Sequence, residues 1–176
     1  YDPHCYLCPG NSRLEGKQNP EYKGPFVFSN DFPALLSENE LSESESSLFQ
    51  VQSVSGICRV LCFSERHDLT LPELGLDAVE KVVQVWVKQE KELGERYSWV
   101  QIFENKGEMM GCSNPHPHSQ IWAGNFLPVE VCKEDAQQRN YYQSHGTELL
   151  GDYLEQEIRS SERLVEINEH WLAVVP

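Results

Sequence analysis

The sequence predicts an α+β fold, an antiparallel sheet with helices packed on one face, and three observations predict it. Short apolar runs of strand length, bounded by Gly, Asn and Asp, recur as FVFSN (26–30), ICRVLCF (57–63), YSWVQIF (97–103) and HPHSQIWA (116–123). One longer segment has helical spacing instead: Leu76, Val79, Val83, Trp86 and Leu93 fall on one stripe, which only Glu90 interrupts. Helical character then returns at 130–143 and 147–159, before two last strands in LVEIN and WLAVV.

The elements follow in order. Residues 1–25 are rich in Pro, Gly and Asn and read as loop, with CYLCPGN (5–11) as an opening knuckle. FVFSNDFPAL (26–35) starts as a strand and breaks at Asn30-Asp31. SENELSESESS (37–47) is acidic and serine-rich, the composition of a mobile surface loop. LFQVQSV (48–54) and ICRVLCF flank Gly56 and are expected to form a hairpin. Cys58 and Cys62 share one face of the second strand and are expected as small core residues. Asp77 followed by Glu80 reads as a capping pair for the helix, and Gly94 as its stop. ENKGEMMGCSNP is a turn-rich loop, and Leu150, Tyr153, Leu154 and Ile158 share a face of the last helix. The 176 residues fit one domain, expected to run from 1 to 176. The WLAVVP run stops in mid-strand, as in a piece of a larger chain.

Composition excludes some functions. Hydrophobic residues make up 39%, enough for a packed core, and the net charge is −14, from 14 Lys+Arg against 28 Asp+Glu. That surplus repels nucleic-acid phosphates and anionic lipid alike, so neither is an expected partner. No long apolar stretch and no signal segment is present, and the six cysteines do not have the spacing of a disulfide framework. The expected setting is the reducing cytoplasm.

Chemistry concentrates in GCSNPHPHSQIW (111–122). On a strand, His116, His118, Gln120 and Trp122 would all point one way, at intervals of roughly 6–7 Å. An imidazole can attack phosphorus if one ring nitrogen is aimed while the other donates to a fixed acceptor. A main-chain carbonyl such as that of His116 would hold Nδ1–H of His118 and present its Nε2. Gln120 offers a neutral N–H donor to a phosphoryl oxygen, and the GCSN turn offers backbone N–H groups. Cys5 and Cys8 form a C-x-x-C pair that needs two more ligands for tetrahedral zinc, from among His4, His67, His116, His118, His145 and His170. His116 is attractive, because anchoring it would fix the strand that carries His118. His67, in the polar SERHD turn, is next.

These motifs resemble the galactose-1-phosphate uridylyltransferase family of the histidine-triad superfamily. The resemblance runs through CYLCPGN, NPEY (19–22), SNDFPAL (29–35), RVLCF (59–63), LTLPEL (69–74), WVQIFENKG (99–107), MGCSNPHPHSQIW (110–122), FLP (126–128) and EHWLAVVP (169–176). It spans essentially the whole chain and corresponds to the family's N-terminal half. It implies a HIT-like fold and a ping-pong transfer. His118 would take UMP from UDP-glucose, expel glucose 1-phosphate, and pass UMP to galactose 1-phosphate. It also implies zinc on Cys5, Cys8, His67 and His116, and a second metal, iron, on Glu134 with histidines from the other half. Asn30, Asp31, Asn105, Gly111, Cys112, Ser113 and Gln120 would surround the nucleotide and phosphates, Cys112 through its backbone rather than its thiol. Basic residues to neutralise the pyrophosphate are missing here. They would come from other segments or from the second subunit of the family's homodimer, and this piece alone would be inactive.

Two alternatives are weighed against that reading. One is a related nucleotidyltransferase or phosphorylase acting on adenine nucleotides; the other is a zinc-stabilised module that binds a nucleotide sugar without turning it over. Gln120 favours transfer over hydrolysis, because an amide cannot protonate a leaving group.

Overall fold

The protein is described by a computed structural model over residues 1–38 and 46–176. Most of the acidic run expected as a loop at 37–47 is residues 39–45, which lie outside the described residues. The chain divides into two compact units, Tyr1–Phe126 and Leu127–Pro176, across the stretch read from sequence as one domain.

The first unit holds a four-stranded antiparallel sheet. Its strands are β1 (Phe26–Ser29), β2 (Gly56–Cys62), β3 (Trp99–Phe103) and β4 (His118–Gly124), in the order β1-β2-β4-β3. Helix α1 (Leu76–Gly94) crosses one face. Side chains alternate along each strand, so β2 divides its residues between two cores. Ile57 and Leu61 join Phe63, Val82, Trp86, Leu93, Ile121 and Ala123 beneath α1. Val60 and Cys62 join Cys5, Leu7, Cys8, Tyr22, Phe26 and Phe28 on the other face, which the N-terminal knuckle covers. Each fully buried Leu or Ile stabilises the unit by roughly 2 kcal/mol.

Three sequence expectations change here. Residues 48–54 form no hairpin with β2. Both edges of β2 are taken, one by β1 (Phe26↔Cys62) and one by β4 (Cys62↔His118), so no edge remains for them. Leu48, Phe49 and Val51 are instead exposed. Gly56 is not a turn residue but the first residue of β2, facing Gly124; a Cβ there would fall 2.2 Å from the Ala123 carbonyl oxygen.

The buried stripe of α1 is also rotated by part of a turn from the expected one. Val82 and Gln89 are buried, while Leu76 (84% exposed) and Val83 (44%) face outward. A buried acceptor decides the phase: Gln89 Oε1 receives Arg59 Nη1–H at 2.6 Å from the sheet beneath. Nor do Asp77 and Glu80 cap α1. Its N-cap is Gly75, with no side-chain hydrogen bond, and the capping box sits one turn earlier, between Thr70 and Glu73.

Cys58 and Cys62 are buried as expected, at 2% and 0% exposure.

The second unit pairs α2 (Val129–His145) with α3 (Leu149–Ser160), followed by a two-stranded antiparallel ribbon, β5 (Leu164–Ile167) and β6 (Leu172–Val174). Gly146 ends α2 in the left-handed conformation (φ 75°), a position that favours glycine. The hydroxyls of Tyr141 and Thr147 both donate to Asp152, tying the α2–α3 turn. Glu157, 1% exposed, is ion-paired with Arg163. Of the apolar face expected on the last helix, Leu150, Leu154 and Ile158 remain exposed.

Candidate active site and metal centre

The knuckle brings Cys5, Cys8, His67 and His116 together, with all four ligand atoms within 4.8 Å of one another and three of the four residues buried. Cys8 Sγ lies 3.5 Å from His116 Nδ1 and 3.6 Å from His67 Nδ1. Tetrahedral zinc with ordinary Zn–S and Zn–N bonds places neighbouring S and N ligands about 3.5 Å apart, so the spacing fits such an ion.

The surroundings fit as well. Backbone N–H groups of Leu7 and Asp2 point at the sulfurs of Cys5 and Cys8, at 3.4 and 3.5 Å, the arrangement that steadies thiolates. The other nitrogen of His116, Nε2, is 2.9 Å from the Ser64 carbonyl, to which Nε2–H donates, leaving Nδ1 free for a metal. Burial lowers the His116 pKa to about 4, so the ring is neutral at physiological pH and ready to ligate. His67, held in the turn between β2 and α1, therefore does join the group. The residue pattern had marked it second to His116, and the resemblance had placed it in the ligand set.

His116 is not on the strand. β4 begins at His118, and His116 sits in the loop before it with its ring turned into the knuckle. The expected row of four side chains thus shortens to His118, Gln120 and Trp122, on the face opposite α1. Pro117 ends the loop, and its carbonyl accepts the Phe63 N–H at 3.2 Å.

The main chain of His116 then bears on His118. Its carbonyl oxygen is 2.7 Å from His118 Nδ1, which fixes the proton on Nδ1 and leaves Nε2 as the nitrogen with a free lone pair. One residue therefore ligates through its ring and orients through its carbonyl. Gln120 follows on the same face. Its Oε1 accepts the Trp122 indole N–H at 3.1 Å, and Trp122 packs edge-on against Phe103 at 5.4 Å.

His118 lines two clefts. One, of about 650 Å³, is bounded by Asn105, Lys106, Gly107, Cys112, Ser113, Asn114 and His116, among others. The second, of about 200 Å³, is bounded by Asn30, Asp31, Phe28, Ser113, His118 and Gln120, among others. The fold thus brings together Asn30, Asp31, Asn105, Cys112, Ser113, His118 and Gln120, although they come from four separate segments. Gly111, with φ 81°, closes the one-turn helix Glu108–Met110 just before Cys112 and itself lines neither cleft.

Two expectations about this loop are refined. The N–H groups of Gly111 and Cys112 are satisfied by Glu108 and Gly107 carbonyls within the loop, so among the described residues Ser113 is the member of the turn that faces both clefts without such a bond. The Cys112 thiol donates to the Asn114 carbonyl at 2.9 Å, which leaves its sulfur engaged.

Sequence reasoning missed three groups. Asn114, 5% exposed, accepts both the His116 N–H (2.8 Å) and the Cys5 thiol (3.5 Å), linking loop to knuckle. Its only signal was an Asn before Pro in a turn. Lys106 puts a cation on the larger cleft, and Arg13 holds Asp31 with both oxygens at 3.0–3.1 Å while stacking on Phe28 at 4.0 Å. Neither had a motif to mark it. Glu134, in contrast, is an exposed residue of α2 in the second unit and belongs to no ligand group among the described residues.

The sheet and the cluster define an antiparallel α+β unit with a Cys₂His₂ knuckle behind a polar strand. A solved uridylyltransferase superposes on the whole chain with a TM-score of 0.82 at 28% identity, covering 56% of that protein. An ADP-glucose phosphorylase from Arabidopsis thaliana, solved with bound ADP-glucose, shares the fold at a TM-score of 0.70 and 20% identity. The family model for the N-terminal domain of galactose-1-phosphate uridyl transferase matches residues 1–128, and that for its C-terminal domain matches residues 134–176. The chain belongs to the galactose-1-phosphate uridyl transferase family. It is 54% identical to the galactose-1-phosphate uridylyltransferase of Haemophilus influenzae and 47% identical to that of Rattus norvegicus, over its full length in both. It spans about half the length of these curated relatives, 51% and 47%.

Proposed function

We propose that the full-length protein carrying this chain moves UMP from UDP-glucose to galactose 1-phosphate through a uridylyl-histidine intermediate. The observation that carries the reading is the 2.7 Å bond from His118 Nδ1–H to the His116 carbonyl, which leaves Nε2 as the nucleophile on a side chain lining both clefts. In the first half-reaction the Nε2 lone pair bonds to the α-phosphorus. The P–O bond to the β-phosphate breaks, and glucose 1-phosphate leaves with that electron pair. In the second, a phosphate oxygen of galactose 1-phosphate attacks the same phosphorus, and the P–N bond breaks back to the imidazole.

The side chains around His118 have matching roles in the proposal. Gln120 donates N–H to the non-bridging oxygens as their charge grows. Ser113 and Asn105 face the phosphates, with Gly111 and Cys112 shaping the turn that presents them. Asn30 and Asp31 face the nucleoside. The absence of a titratable ring at position 120 disfavours hydrolysis, which supports transfer to a sugar phosphate.

Zinc on Cys5, Cys8, His67 and His116 is part of the proposal; when bound it supplies a rigid tetrahedral clamp. The residues it clamps then hold the His116 carbonyl in place against His118. Glu134 is proposed as a ligand of a second metal, iron, with histidines from beyond this chain. A homodimer is also part of the proposal; with Arg13 engaged by Asp31 in a chain of net charge −14, the cations for the pyrophosphate come from other segments of the full-length protein or from specific side chains of the second subunit. The cytoplasm is the proposed compartment, consistent with six free thiols.

The test is isotope exchange. Full-length, metal-loaded protein will exchange label between UDP-glucose and glucose 1-phosphate with no galactose 1-phosphate present, and His118→Gly will reduce that exchange by several orders of magnitude. Full exchange in the variant would refute His118 as nucleophile. UDP-sugars will outcompete adenine nucleotides; the reverse would favour the adenine-nucleotide alternative. Binding without exchange would favour the non-catalytic module.

A further inference from the structure

On β4 the side chains of His118, Gln120 and Trp122 share one face, and each is only partly buried. Transfer as proposed above asks Gln120 to offer N–H, not C=O, to a phosphoryl oxygen. A free glutamine amide has no such preference, since a half-turn about its last bond exchanges donor for acceptor. An indole nitrogen, however, can only donate. With Trp122 Nε1 3.1 Å from the Gln120 amide, the atom facing the indole has to be Oε1, and the NH₂ group is turned the other way.

Trp122 is itself held. Its ring meets Phe103 edge-on, with centroids 5.4 Å apart and planes at 78°, and Phe103 is the cross-strand partner of Gln120 in β3. Gln120 and His118 border the same smaller cleft. We propose that Trp122 is a positioning residue that acts through Gln120: its indole N–H locks the amide with NH₂ toward the phosphate, so the site presents a donor where negative charge develops. This rests on the uridylyl-transfer reading for its consequence, but not for its geometry. Trp122 itself lines neither of the two clefts that His118 borders. Phe103 acts one step further back, by fixing the plane of the indole.

The amide donor matters most in the transition state, so losing its alignment lowers turnover more than substrate affinity. In full-length, metal-loaded protein, Trp122→Phe keeps an aromatic ring at the position and removes the N–H together with the pyrrole part of the indole. The expected result is a fall in kcat for UDP-glucose/glucose 1-phosphate exchange of about tenfold, a fraction of what one oxyanion donor is worth, with KM changed less than about twofold. In a Gln120→Ala background the same Trp122→Phe change is expected to alter kcat less than about twofold, because no amide is left to orient. Trp122→Phe activity equal to the parent's, or an equal deficit in both backgrounds, overturns the proposal.

A second readout separates this from the transfer reading. The indole N–H resonance of Trp122 should shift on Gln120→Ala, whether or not the protein turns over. If the parent shows no exchange, the transfer reading falls, and an unshifted indole resonance would then overturn the clamp as well.

Discussion

His116 uses both ends of its residue. Its ring faces Cys8 and, through Nε2–H, Ser64, while its carbonyl oxygen receives His118 Nδ1–H. A single backbone position thereby couples a buried thiol cluster to the proposed nucleophile. The thiols outside that cluster differ sharply in environment. Burial pushes the Cys62 thiol up to about 12, so it stays protonated and unreactive at pH 8, whereas Cys132 is exposed. Iodoacetamide labelling of native protein at pH 8 should therefore modify Cys132 and spare Cys62, and raising the pH to 9 should not open Cys62. Rapid Cys62 labelling would show that its strand is not packed as described. Arg13 makes a second prediction, since the Asp31 side chain it holds is only 4% exposed. Arg13→Ala should cost about 2 kcal/mol, because the buried carboxylate then keeps only the half-exposed Lys17 ammonium at 3.7 Å, and adding Asp31→Asn should recover part of that loss. Urea titration of both variants measures it.

Among the elements, α1 and the knuckle are the most informative. Sequence periodicity gave the helix its length, but two valines stood side by side at 82 and 83 and hydrophobicity could not choose between them. The Arg59–Gln89 hydrogen bond, between residues 30 apart, makes the choice. Val82→Ala should accordingly cost about 2 kcal/mol and Val83→Ala under about 0.5 kcal/mol; a larger cost at Val83 than at Val82 would restore the stripe read from sequence. The lost hairpin has a similar cause. LFQVQSV has strand composition, but composition does not reveal that β1 and β4 already occupy both edges of β2. The knuckle was more legible, because C-x-x-C spacing is a local signal while its histidine partners are 59 and 108 residues from Cys8. Removing a ligand should uncouple it: Cys5→Ser should lower zinc below one ion per chain and lower Tm, since site formation is linked to folding. Unchanged zinc by elemental analysis would remove the metal assignment.

Over the whole molecule, the sequence made the α+β class and the HSQIW strand readable because both are set by local pattern, although the strand starts two residues later than expected. Convergence was not readable. Asn30, Asn105 and Ser113 meet at His118 only because β1, β3 and the loop before β4 open toward the same clefts. Resemblance supplied those residues where spacing could not, and the family match over 1–128 and 134–176 explains why it reached so far. The 14-charge excess of acid also acts at this scale. With Arg13 engaged and Lys106 on one cleft, pyrophosphate binding calls for cations from outside the described residues.

The central claim, that His118 Nε2 carries the uridylyl group, is tested most directly by trapping it. Full-length protein mixed with UDP-glucose and quenched in alkali, which preserves a phosphoramidate, should yield by mass spectrometry a UMP adduct on the peptide containing His118. An adduct on any other residue, or none while exchange proceeds, would contradict the account.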